Sequence, residues 1–203
     1  MPLGASQRDA PTDHVLFGES GNMHYDLVMR ILGIDPGFGR VGYGVIEQSK
    51  NSSASAPVQS GGAGNDWRAL AYGCIETSAK KSFVDRLAEI HAELKRLIKE
   101  YQPTRVAVEE LFFFKNVKTA IEVGQARGVI LLTAVESGLP VDEFTPLQVK
   151  QAMTGYGRAD KNQMQTLVAL LLGIKDKIKS DDAADALAVA LCAGHSLWAK
   201  RIE

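Results

Sequence analysis

Two short apolar runs, each ending in a carboxylate, constrain this chain more than anything else in it. Ile31-Leu-Gly-Ile closes on Asp35, and Val106-Ala-Val closes on Glu109. Short runs of this kind read as buried strands. A third segment, Ser-Asp-Asp-Ala-Ala-Asp-Ala-Leu-Ala from Ser180, sets Asp182 and Asp185 three residues apart, on one face of a helix. Carboxylates far apart in sequence and carried on core elements are expected to converge on positive charge. Four of them without His or Cys suit hard divalent cations rather than zinc or iron. Two magnesium ions about 3.5–4 Å apart activate a water and stabilise the leaving oxygen in phosphodiester hydrolysis.

The bland alternatives differ from acid to acid. Asp35 precedes Pro-Gly and could simply make a turn; G-I-D-P-G also resembles the first phosphate motif of actin-like and sugar-kinase ATPases. Alternation sends Glu109 and Glu110 to opposite faces of a sheet, with Arg105 and Ala107 sharing the face of Glu109. Periodicity does not choose between the two glutamates. Helix capping accounts for Asp181 or Asp182, and less well for Asp185, which lies deeper beside Ala184, Leu187, Ala188 and Leu191.

The elements around these acids follow in a definite order. Ile31–Asp35, Val41–Glu47 and Ala69–Thr77 read as three strands of an antiparallel meander. Between the second and third lies a Ser/Gly/Ala/Asn stretch at 50–66, expected to be a flexible insertion. Ser82, with Asp85 three residues on, caps a helix that runs to Glu100 and stops at Pro103. A strand at Arg105–Glu109, a helix at 117–136 and a strand at Val141–Phe144 come next. Helices at about 146–153, 160–172 and 181–198 close the chain. The pattern predicts one α/β domain over residues 29–198: a five-stranded mixed sheet flanked by helices. Residues 1–28 lack periodicity and read as a disordered tail, with Met29 an alternative start, and 199–203 as a short C-terminal tail.

Composition excludes some classes and permits others. No apolar run is long enough to span a bilayer, so no membrane association is expected. Cys74 and Cys192 form no framework, which favours a reducing, cytoplasmic setting, and the four histidines show no ligand spacing. Net charge is -1, yet the first 29 residues hold four acids and one base. The remainder carries 22 basic and 20 acidic residues, which permits nucleic-acid binding without demanding it. After Glu109 come Leu111, Phe112, Phe113, Phe114, Lys115, Asn116 and Lys118. Three consecutive aromatics cannot all be buried on one face. They either cap the core or offer a ring to stack on bases beside phosphate-binding lysines. Lys150 and the segment Gly155–Lys161 add further basic side chains and Gly-rich backbone.

With these residues in hand, the chain resembles the RuvC family of bacterial Holliday junction resolvases over about residues 30–196. The resemblance rests on I-L-G-I-D-P-G followed by G-Y-G-V-I, on G-C-I, on A-V-E-E-L-F-F-F-K-N, on G-Q-A-R-G-V, on Q-V-K-Q and on D-A-A-D-A-L-A-V-A. It implies a ribonuclease H-like fold and a homodimer that cuts two opposed strands of a four-way DNA junction to 5′-phosphate and 3′-hydroxyl ends. It implies Asp35, Glu109, Asp182 and Asp185 as catalytic acids holding two Mg2+ per subunit, with Mn2+ as a substitute. Some relatives carry His at the position of Asp182. Phe112 matches an aromatic that contacts DNA bases near the junction, and Lys150 and Lys161 match basic residues linked to DNA binding or activity; Lys115 and Asn116, beside Phe112, are further candidate DNA-binding residues. RuvA and RuvB, the branch-migration proteins, are the implied protein partners. The tail and the 50–66 insertion depart from the shorter members of the family. Two-fold cutting needs two sites related by a dyad; Gly124 and Gly128, four apart on helix 117–136, offer a close-packed contact between subunits or, equally, against the sheet. Competing readings are an actin-like ATPase, a non-catalytic junction-binding module and a related nuclease acting on RNA.

Overall fold

The apolar run from Arg30 to Asp35 becomes a central strand, β1, with a neighbour hydrogen-bonded on each side. The computed structural model describes residues 28–48, 67–111, 117–155, 157 and 160–199. The tail before residue 28, the 50–66 insertion, Phe112, Lys115, Asn116 and residues 200–203 lie outside the described residues. In chain order the elements are β1 (Arg30–Asp35), β2 (Arg40–Gln48), β3 (Trp67–Glu76), α1 (Phe83–Tyr101), β4 (Arg105–Glu109), α2 (Val117–Glu136), β5 (Val141–Phe144), α3 (Pro146–Thr154), α4 (Lys161–Leu171) and α5 (Asp181–Ala199). Sheet order is β3-β2-β1-β4-β5. The first three strands pair antiparallel, and β4 and β5 join parallel to β1. This is the mixed, ribonuclease H-like sheet expected from the sequence.

Strand alternation divides the core into two layers. Leu32, Ile34, Val106 and Val108 point to one face, under Ile90, Leu94 and Leu97 of α1 and Ala126, Ile130 and Ala134 of α2. Ile31 and Ala107 point to the other face, under α3, α4 and α5. The parallel register pairs Ile34 with Val108, so the acids that follow them end their strands at the same level. In the meander, Arg40 pairs with Glu76 at that same end, and Gln48 pairs with Trp67 at the opposite end.

Local signals set the helix limits. The Ser82 hydroxyl accepts from the Asp85 N–H to start α1, and Gln102, at φ 47°, turns the chain out of it before Pro103. Thr145 and Asp160 open α3 and α4, each with a reciprocal Gln three residues on.

The helix that matters most, α5, lies directly on strand backbone. A Cβ at Gly33 would stand 2.1 Å from the carbonyl oxygen of Ala186, and one at Gly42 would stand 2.0 Å from that of Asp182. The contact therefore exists only because both strand positions lack a side chain. On the helix side it is met by Ala183, Ala184, Ala186 and Ala190, all buried. Gly33→Ala is expected to force α5 away from the sheet and to destabilise the protein by ~1–3 kcal/mol, read as a lower urea midpoint with an unchanged slope.

Candidate active site

Three carboxylates meet where β1 and β4 end and α5 begins. Asp35 and Glu109 are mostly buried and share a hydrogen bond. Burial, reinforced by the charges of Glu109, Asp185 and Asp182, pushes the Asp35 carboxyl up to about 8. Burial and the Asp185 charge push Glu109 up to about 7, against the pull of the Asp35 hydrogen bond and of Lys150. Asp185 is raised by burial and by its acidic neighbours, with Lys161 and Lys150 opposing. The three are like charges held in a poorly solvated place, a costly arrangement unless a cation or a proton compensates it.

Position separates the neighbouring acids that spacing left together. Glu109 shares its face with buried Ala107, on the α5 side, and joins Asp35. Glu110 follows the strand, its N–H donating to the Phe144 carbonyl at 2.8 Å. Asp181 turns to α4: its carboxylate takes Lys161 Nζ at 2.9 Å and Gln165 Nε2 at 2.5 Å. Asp182 and Asp185 are the members of that turn whose charges reach Asp35.

A cleft of about 190 Å³ opens beside these acids, lined by Glu109, Asp185, Lys150 and Lys161 among others. Both lysines singled out from the sequence therefore face the acids. They arrive from α3, which ends at the left-handed Gly155 cap (φ 74°), and from α4, which starts at the Asp160 cap. Two further groups carried no sequence signal. Arg40, at the start of β2, ion-pairs with Asp182. Arg86 of α1 stacks 3.7 Å over the Phe38 ring and donates to Thr77 Oγ1 at 3.0 Å and to the Phe38 carbonyl at 3.3 Å. It thereby fixes the turn that follows Asp35. Neither arginine sits in a periodic or motif position, and each acts through contacts across long sequence separations.

The donor set fits a hard divalent cation. All the converging groups are carboxylates, raised by burial first and by their mutual repulsion second, so that a cation among them would relieve both. Among the described residues no three His, Cys, Asp or Glu side chains already form a finished metal cage. Magnesium takes one or two carboxylates and completes its shell with water and phosphate oxygens, so it needs none.

The family model for the crossover junction endodeoxyribonuclease RuvC matches residues 31–193. The chain belongs to the RuvC family. The RuvC of Heliobacterium modesticaldum is 54% identical over 169 residues, covering 83% of this chain and 96% of that protein. The RuvC of Caldicellulosiruptor saccharolyticus is 52% identical over 164 residues, covering 81% and 91%. Among solved structures, Thermus thermophilus RuvC in complex with a Holliday junction substrate superimposes with a TM-score of 0.71 at 35% identity, covering 85% of this chain and 96% of that one. The yeast mitochondrial Holliday junction resolvase Ydc2, at 13% identity and a TM-score of 0.53, shares the fold. All four RuvC acids expected from the sequence thus lie at one end of one sheet, and Lys150 and Lys161 line the same cleft.

The raised acids make the metal-free RuvC domain sensitive to pH in a definite direction. The folded protein keeps protons that the unfolded chain releases near pH 4. Their stabilising contribution is complete below that pH and is lost as pH rises to about 7–8, where Glu109 and Asp35 ionise. In chelator, thermal unfolding should therefore show a lower midpoint at pH 8 than at pH 5. Asp35→Asn should flatten that dependence and stabilise the metal-free protein at pH 8 by ~1–3 kcal/mol.

Proposed function

We propose that this chain is a divalent-metal-dependent Holliday junction resolvase, an endodeoxyribonuclease that hydrolyses phosphodiester bonds at symmetric positions in two opposed strands of a four-way DNA junction. The observation that carries the reading is the gathering of Asp35, Glu109 and Asp185 as buried, mutually repelling carboxylates beside a cleft lined by Lys150 and Lys161. Asp35, Glu109 and Asp185, with Asp182, would hold two Mg2+, and Mn2+ would substitute. Bound there, the ions supply activation of the attacking water and stabilisation of the leaving oxygen. Lys150 and Lys161 attract the strand and oppose the repulsion between its phosphates and the acids. Asp181 and Gln165 hold Lys161 toward the cleft. Phe112, Lys115 and Asn116, next along the chain after Leu111, are proposed as DNA contacts near the branch point.

A homodimer belongs to the same proposal, and α2 is the surface that best supports it. Ile121, Leu132 and Val135 are more than half exposed. Nothing stands within 4 Å of where a Cβ would sit on Gly124 or Gly128. These five residues fall on one helical face, apolar and open to close approach by a second helix. The dyad would place two sites on opposed strands. The family also makes RuvA and RuvB the expected partners, in a cytoplasmic setting; among the described residues no helix is long and apolar enough to cross a membrane. Residues 29–198 would act as one nuclease domain.

Three outcomes test this reading. Asp35→Asn should reduce junction cleavage in Mg2+ below about 1% of the parent rate, a loss of at least ~2.7 kcal/mol of transition-state stabilisation, while gel-shift affinity for the junction survives. Parallel assays on junction, linear duplex and RNA should show cutting of the junction; preference for either other substrate rejects the assignment. Leu132→Asp should yield a monomer in sedimentation equilibrium and lose paired cutting of one junction.

A further inference from the structure

The first turn of α5 has a second side. Opposite the lysine-lined cleft lies a larger, more open one of about 500 Å³, lined by Arg40, Cys74, Glu76, Lys179, Ser180 and Asp181. Arg40 reaches across its mouth to the Asp182 carboxylate, and its side chain is 55% exposed. Cys74 and Ser180 are in contact at 2.9 Å on the floor. Asp181 is engaged by Lys161 on the far side of the turn. The cationic groups of this cleft are thus Arg40 and the exposed Lys179, and one of them is tied up by an acid that faces Asp35.

That tie has a consequence for substrate binding. A DNA strand lying across the acids carries a phosphate at every nucleotide, and the phosphates on both sides of the scissile one are repelled by the carboxylates unless cations flank the site. Lys150 and Lys161 flank it on one side. On the other side the available cations are Arg40 and Lys179. A guanidinium paired with Asp182 cannot serve a phosphate in full, and Asp182 paired with a guanidinium is a weaker ligand for a divalent ion. The two demands are met together if the partners exchange.

We infer that Arg40 is an exchangeable counter-ion of Asp182: it yields that carboxylate to a divalent cation and then, with Lys179, binds a backbone phosphate of the substrate strand in the second cleft. Arg40 is therefore a positioning and strand-binding residue that couples metal occupancy to DNA affinity. The inference rests on the resolvase reading and extends it to the path of the strand beyond the cut.

The test uses Arg40→Ala and Lys179→Ala in the full chain, with circular dichroism melts confirming folding. Mn2+ binding to the DNA-free protein is measured by calorimetry. Junction binding is measured by anisotropy at several salt concentrations with all four acids intact and Ca2+, a hard oxygen-seeking cation, in place of Mg2+. Arg40→Ala should bind Mn2+ about 3–10-fold more tightly, because no partner has to be displaced from Asp182, and its salt dependence should fall by about one unit of slope. Lys179→Ala should lose the same slope while leaving Mn2+ affinity unchanged. If Arg40→Ala leaves Mn2+ affinity equal or weaker, or leaves the salt slope intact, the exchange is refuted. An unchanged slope in Lys179→Ala refutes the phosphate site. A parent protein that fails to cut junctions overturns the resolvase reading itself, and that result is obtained separately from the other two.

Discussion

The seating of α5 on bare strand backbone governs most of what this structure does. At Gly33 and Gly42 a single methyl would collide with helix carbonyls. The helix side is almost entirely alanine through this contact. Close approach brings the first turns of α5 over the ends of β1 and β4, and that placement converts an ordinary amphipathic helix start into half of an acidic site. Larger side chains at the interface would bury more apolar area and give the same fold class, but would set Asp185 farther from Asp35. Packing here sets reach as well as cohesion.

The second constraint is electrostatic. A cluster of four acids at one end of a sheet opposes folding, and the surrounding elements limit that opposition with cations from different parts of the chain. Lys161 comes from α4, Lys150 from α3 and Arg40 from β2, while Arg86 from α1 stiffens the turn that follows Asp35. Burial still raises the Asp35 and Glu109 carboxyls, with Lys150 opposing the shift at Glu109. Like charges buried together in this way would be relieved by an added cation.

Much of this was legible in the chain. The apolar runs ending in Asp35 and Glu109, the Ser82 cap and the Pro103 stop locate strands and helices because local sterics and hydrogen bonding decide them. Alternation separated Glu109 from Glu110 without saying which faced the site, because the facing direction is fixed by α5, which is 72 residues further along. The spacing of Asp181, Asp182 and Asp185 put all three on one turn, yet their division of labour depends on Lys161 and Gln165 in α4 and on Arg40 in β2. Arg40 and Arg86 were not legible at all: an isolated arginine acquires meaning only from the three-dimensional neighbours it meets. The outward face of α2 was half legible, since Gly124 and Gly128 announced close packing without naming the partner.

The antiparallel register has an implication for how the domain tolerates change. Arg40 pairs with Glu76 at the acid end of the sheet, whereas Gln48 pairs with Trp67 at the other. The chain between Gln48 and Trp67 is thus attached about a full strand length away from the carboxylates. The sheet is polarised into a rim where atomic positions are dictated by chemistry and a rim where the connecting peptide can lengthen at little thermodynamic cost. A lineage could elaborate the remote rim into a new surface while inheriting the acidic one unaltered.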